Sequence, residues 1–107
     1  MSQFVRYVGD SPQTRVLDML ITGRELEYSI TDIASSANIG RATFYRMLKK
    51  LLRNKIIIKG QKIGHIQLYK LNLNSLNVLA IVELYDKILK ISSGKEIEKQ
   101  KITKEHK

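Results

Sequence analysis

The sequence predicts a mainly α fold with one small β-hairpin, and three observations predict it. Four stretches carry apolar residues at helical spacing behind residues that cap helices. Two short runs, Lys55-Ile-Ile-Ile-Lys59 and Ile66-Gln-Leu-Tyr-Lys-Leu71, are rich in β-branched and aromatic residues and flank a glycine-bounded segment. Between Ile30 and Arg53 two helices are joined by a three- or four-residue turn, and the second is apolar on one side and cationic on the other.

The bulk properties bound what such a fold can do. A chain of 107 residues, 43% hydrophobic, has room for one domain with one modest core. It contains no cysteine, which removes disulfides and thiolate metal sites. The formal net charge is +9, which draws a protein toward polyanions. That charge is concentrated. Nine cations (Arg41, Arg46, Lys49, Lys50, Arg53, Lys55, Lys59, Lys62 and Lys70) and no acid occur from residue 41 to residue 70.

Residues 1–10 include Phe4-Val-Arg-Tyr-Val8, short and mixed in pattern, which reads as an edge strand or an arm before the break at Gly9-Asp10. Ser11-Pro12 opens the first helix: serine caps free N–H groups and proline suits the first helical position. Val16, Leu17, Leu20 and Ile21 form its apolar stripe, and Thr22-Gly23 ends it. Leu26-Glu27-Tyr28 is a loop or a single short strand. The second helix runs from about residue 30 to Ala37 behind Ser29 or Thr31, with Ile33 and Ala37 facing inward. Asn38 tolerates the left-handed backbone a sharp turn demands.

The third helix spans about residues 41–53 with Gly40 as a permissive cap. Phe44, Met47 or Leu48, Leu51 and Leu52 make its buried stripe, and Asn54 is expected to close it as glycine usually does. The hairpin follows, with a basic loop at residues 60–65. The last helix, from Ser75 or Leu76 to Ile91, is apolar on most sides and carries Glu83–Lys87 and Asp86–Lys90 at i,i+4 spacing. A helix of that kind needs burial on most sides, so one face covers the domain and another wants a partner. The expected dimer face is Val78, Ile81, Val82, Tyr85, Ile88 and Leu89. From residue 92 to residue 107 the chain reads as a disordered charged tail.

The central pair of helices has the layout of a helix-turn-helix, whose second helix enters the DNA major groove. Helix, helix, turn, helix, strand, basic loop, strand, helix is the order of a winged helix-turn-helix. Across residues 11–91 the chain resembles the small MarR-, ArsR- and PadR-like transcriptional regulators of archaea and bacteria. The resemblance rests on Ile33-Ala34, Ala37-Asn38-Ile39-Gly40, Thr43-Phe44-Tyr45-Arg46, Leu48-Lys49-Lys50-Leu51, Lys55-Ile56-Ile57 and Gln67-Leu68-Tyr69-Lys70-Leu71. Two residues depart from it: Asn38 stands where these proteins favour glycine, and Gly40 where they favour serine or threonine.

The resemblance implies a DNA-binding domain over residues 11–74 and a C-terminal dimerisation helix over residues 75–91. It places Arg41, Ala42, Thr43, Tyr45 and Arg46 at base edges. Arginine can bond guanine through two parallel hydrogen bonds, and Ala42 and Thr43 suit thymine methyls. Lys49, Lys50 and Lys55 suit phosphates, and Gln61, Lys62 and His65 lie on the wing, against the minor groove or backbone. The implied protein is a sequence-specific regulator of double-stranded DNA acting as a homodimer.

Two other functions fit the same pattern. One is a winged-helix adaptor between proteins in a transcription, replication or plasmid-partition assembly, which has little use for nine clustered cations. The other is a nonspecific coat on DNA. Catalysis finds no footing, with two histidines, no cysteine, no nucleotide-binding glycine motif and scattered acids. No cofactor or metal is expected. No segment approaches the roughly 18–20 apolar residues that span a bilayer, and Met1–Tyr7 lacks a signal-peptide run. A cytoplasmic, nucleoid-associated protein is expected, and an effector ligand is invisible in the sequence.

Overall fold

The computed structural model describes residues 2–94. The order is α1 (Gln3–Val8), α2 (Pro12–Thr22), α3 (Ile30–Ala37), α4 (Arg41–Arg53), β1 (Ile57–Ile63), β2 (Ile66–Leu71) and α5 (Leu76–Ser92). Beyond Gly94 the expected charged tail lies outside the described residues.

Local chemistry accounts for the boundaries. The Ser11 hydroxyl accepts from the Thr14 N–H at 3.1 Å, with Pro12 in the first turn of α2. A reciprocal pair opens α3: Asp32 N–H donates to Ser29 Oγ at 3.1 Å, and Ser29 N–H donates to the Asp32 carboxylate at 3.4 Å. Asn38 is left-handed, with φ 54° and ψ 50°. Its turn is closed by Ile39 N–H donating to Ala34 O at 3.0 Å. The far end of α4 repeats this pattern one residue later than expected. Lys55, not Asn54, takes the left-handed conformation (φ 57°), and Ile56 N–H donates to Leu51 O at 2.9 Å. A lysine there costs about 1–2 kcal/mol. Buried Asn72 offsets the cost by donating through Nδ2 to Lys55 O at 3.0 Å and through its N–H to Ile56 O at 2.9 Å.

The N-terminal segment is a helix rather than an edge strand or arm. Ser2 Oγ accepts from Val5 N–H at 3.1 Å and Gly9 N–H donates to Val5 O at 2.9 Å, so both ends of α1 are satisfied. Phe4 and Val5 are buried, and the Phe4 ring lies 5.2 Å from that of Tyr85. Thus α1 and α5 pack together over α2. Thr22 Oγ1 donates to Asp18 O at 2.8 Å and meets Tyr85 Oη at 2.7 Å. Arg24 grips the Asp86 carboxylate with two bonds of 3.1 and 2.8 Å. Those bonds hold the Asp86 carboxyl below the usual aspartate range. Asp86 therefore ties α5 to the end of α2 instead of forming the local pair with Lys90.

The sheet is a two-stranded antiparallel hairpin, widened at its base by a single bridge in which Tyr28 and Tyr69 exchange N–H···O bonds of 2.8 and 2.7 Å. The segment 60–65 is not a loop. β1 continues to Ile63 and the turn is only Gly64-His65, with Gly64 at φ 61°. The hydrophobic core joins Phe4, Leu20, Ile33, Phe44, Leu51, Ile57, Tyr69, Leu71, Val78, Val82 and Tyr85 across every element.

Because Phe4 is 1% exposed, Phe4→Ala is expected to lower stability by about 3–5 kcal/mol. Urea denaturation measures it, and a loss below about 0.5 kcal/mol would mean that α1 does not belong to the core.

Candidate nucleic-acid interface

The site begins with how α4 is seated. Phe44 and Leu51, two turns apart, are buried, and Met47, Leu48 and Leu52 pack beside them. Helical spacing then turns Arg41, Ala42, Tyr45, Arg46, Lys49, Lys50 and Arg53 outward, and all seven are exposed. Thr43 is half-buried at the edge of that face. Arg46 Nη2 donates to Thr43 Oγ1 at 3.3 Å, which inclines the guanidinium toward the N-terminal half of the helix. No side chain caps the α4 N-terminus at Gly40, so its first N–H groups are open to an acceptor. Among the described residues, the two ion pairs, Arg15–Asp10 and Arg24–Asp86, lie off this face.

Sequence reasoning missed the neighbours of α4. Ser11, Pro12 and Gln13, at the start of α2, line one groove with Thr43, Arg46, Lys50 and Asn54. Ser-Pro signalled only a helix start. That the start lies beside the cationic face is tertiary information. Arg15 reinforces the arrangement by holding Asp10 at 2.6 and 2.9 Å and donating to Asn38 O at 3.2 Å, which ties the α1–α2 link to the helix-turn-helix corner.

The expected wing residues Gln61, Lys62 and His65 are exposed on the outer half of the hairpin. Glu27 anchors that half, its Oε1 accepting from Gln61 N–H at 2.7 Å. Gln67 Nε2 donates across the hairpin to Gly60 O at 3.0 Å. A Cβ at residue 60 would displace the Glu27 carboxylate from its place beside the hairpin. Lys55 is exposed at the root.

On α5 the expected dimer face needs correcting. Val78, Val82 and Tyr85 are buried in their own domain and are not free for a second copy. Ile81 and Ile88 are half-buried and Leu89 is exposed. The second stripe is Ile81, Leu84, Ile88 and Ile91, spaced three, four and three, which is the spacing of a helix-pairing seam. Leu84 is 49% exposed and Leu76 83%.

Among the described residues no group of three or more His, Asp or Glu could hold a metal ion, and no helix is long and apolar enough to cross a membrane.

These elements define a winged helix-turn-helix: α3 and α4 at a sharp turn, a hairpin wing, and a flanking helix. Solved structures of transcriptional regulators share it. HlyU from Vibrio cholerae superimposes with a TM-score of 0.59 at 20% identity, over 80% of this chain and 87% of that one. MepR, a transcription regulator of the Staphylococcus aureus multidrug efflux pump MepA, gives 0.59 at 19% identity, over 94% and 79%. ZitR from Lactococcus lactis gives 0.58 at 16% identity, over 89% and 77%. At such identities the likeness establishes the fold. No family model and no curated protein matches the chain by sequence.

Glu27→Ala removes the carboxylate that holds the wing. Hydrogen-exchange protection of the Gln61 amide is expected to fall about tenfold, the loss of one charge-assisted bond, with the protection of α2 and α4 unchanged.

Proposed function

We propose that this protein is a sequence-specific double-stranded DNA-binding transcriptional regulator acting as a homodimer. The observation that carries the proposal is the exposed face of α4: seven neighbouring side chains, five of them cationic, on a helix seated by Phe44 and Leu51. That helix has the diameter and chemistry for a major groove. Arg41, Ala42, Thr43, Tyr45 and Arg46 read base edges from its N-terminal half. Lys49, Lys50 and Lys55 neutralise phosphates, supplying affinity rather than sequence choice. The start of α2 borders α4 and offers Gln13 to the adjacent DNA backbone. The wing, through Gln61, Lys62 and His65, follows the strand to the neighbouring minor groove. The fold's likeness to HlyU, MepR and ZitR supports this reading.

Pairing through Ile81, Leu84, Ile88 and Ile91 buries exposed Leu84 and the parts of the three isoleucines that the domain's own core leaves uncovered. A two-fold pair sets two α4 helices on one side of the duplex, with half-sites about 10–10.5 bp apart or a multiple of that. Protein-only docking would leave the cations of α4 without a use. A nonspecific coat would leave Ala42 and Tyr45 without one.

Selection of fragments from random DNA by the full chain is expected to recover a palindrome with that spacing. Arg46→Ala with Lys50→Ala should abolish the site-specific gel shift while circular dichroism and dimer mass are unchanged. Lys50→Ala alone should flatten the log–log salt slope by about 0.9. Unchanged site-specific binding by the double variant refutes the assignment of α4.

Leu84→Glu sets two carboxylates against each other in the seam. Sedimentation is expected to show a folded monomer, with affinity for the palindrome reduced at least tenfold. A Leu84→Glu dimer would place the interface elsewhere.

A further inference from the structure

The tip of the wing is apolar where a solvated turn is ordinarily polar. Ile63 and Ile66 are 60% and 56% exposed. They stand directly opposite each other beside the Gly64-His65 turn. Residues opposed across an antiparallel ladder share a side, so the two side chains form one knob.

An irregularity in β1 creates that knob. Ile57 is buried on the core side, opposite buried Leu71. Strict alternation from Ile57 would send Ile63 to the core side as well. Along β2, Tyr69 and Leu71 face the core, which puts Ile66 on the outer side. One extra residue between Lys59 and Lys62 reverses the parity of β1 and brings Ile63 round to join Ile66. The bonds from Gln61 to Glu27 and from Gln67 to Gly60 hold that extra residue in place. Nothing in the domain's own core requires it, since neither isoleucine packs there.

The surroundings of the knob select its occupant. Lys62 adjoins Ile63 on the opposite face of the hairpin, across from Gln67, and Lys70 shares the face of Ile66 farther down β2. Among the described residues the carboxylate bonded to the hairpin is that of Glu27, which accepts from the Gln61 N–H. An apolar tip on a hairpin that carries lysines on both faces fits a polyanion with an apolar crevice. The minor groove of DNA is one, and proteins that bend DNA insert isoleucine and similar residues between base steps there.

We infer that Ile63 and Ile66 form a minor-groove wedge that partly unstacks one base step beside the half-site and bends the duplex. The inference rests on the proposed DNA binding and deepens it. Specificity then extends to a step that α4 does not touch, because pyrimidine–purine steps unstack most easily.

The test uses the full chain and two end-labelled duplexes of about 30 bp, one with a central TpA step and one with an A-tract there. Energy transfer between the ends reports bending. The wild type is expected to bend the TpA duplex by about 20° or more and to bind it several-fold more tightly than the A-tract duplex. Ile63→Ala with Ile66→Ala, both at exposed positions, should retain the melting temperature, lose more than half of the bend and lose the preference. Equal bending by wild type and variant overturns the wedge, as does a variant whose sedimentation differs from wild type without DNA, which would assign the knob to protein contact. Bending by the wild type with no sequence recovered in selection would retain the wedge and refute base reading by α4. Failure to bind any duplex would refute both.

Discussion

Burial of Phe44 and Leu51 sets the rotation of α4 about its own axis, and the chemistry of the surface follows from that rotation. Turning the helix by a single residue, about 100°, would carry cations toward the core. An unpaired buried charge costs several kcal/mol, while each buried apolar side chain contributes about 1.5–3 kcal/mol where it is. The two effects act in the same direction, so the cationic face cannot drift. Both ends of α4 are pinned as well: Asn38 turns the chain into it, and Lys55, held by Asn72, turns the chain out.

The wing is fixed in stages along its length. At the root, Asn72 locks the carbonyls of Lys55 and Ile56. The Tyr28–Tyr69 bridge, still near the base, and Glu27 farther out tie the hairpin to the segment that precedes α3. The tip beyond the bulge projects freely. Among the described residues, the carboxylate bonded to the wing is that of Glu27, whose Oε1 accepts from the Gln61 N–H.

Much of this was legible in the sequence, for physical reasons. Ser11-Pro12, Ser29 with Asp32, and Asn38 are local signals acting over three or four residues, and the elements they bound follow the expected limits closely. The basic face and buried stripe of α4 are set by helical spacing alone. What was not legible depends on distant partners. Six residues of α1 carry only Phe4 and Val5 as core anchors, and their helix is worth forming because Tyr85 receives Phe4 from 81 positions along the chain. The parity change in β1 needs the register against β2, which composition does not contain. On α5 both apolar stripes have helix-pairing spacing, and only the position of α1 and α2 decides that Val78, Val82 and Tyr85 turn inward while Leu84 turns out. Asn54 was a reasonable closing residue by type, yet the contacts of Asn72 lie around Lys55 and the left-handed residue is there.

The placement of acids completes the picture. The two ion pairs of the described residues brace the fold away from the exposed face of α4, Asp10–Arg15 between the α1–α2 link and the helix-turn-helix corner and Arg24–Asp86 between the segment after α2 and α5. The cations of α4 and the wing have no such counterparts among the described residues, and their mutual repulsion opposes the compact state. Stability is therefore borne by the hydrophobic core, and the charge of that face is left without an ion-pair partner among the described residues; on the proposed function, it is free for a polyanion. Binding one relieves the repulsion only in the folded form, where the cations share one face. By mass action such a ligand favours the folded chain, so an interface built from unpaired charge on a neutral core couples recognition to stability without any moving part.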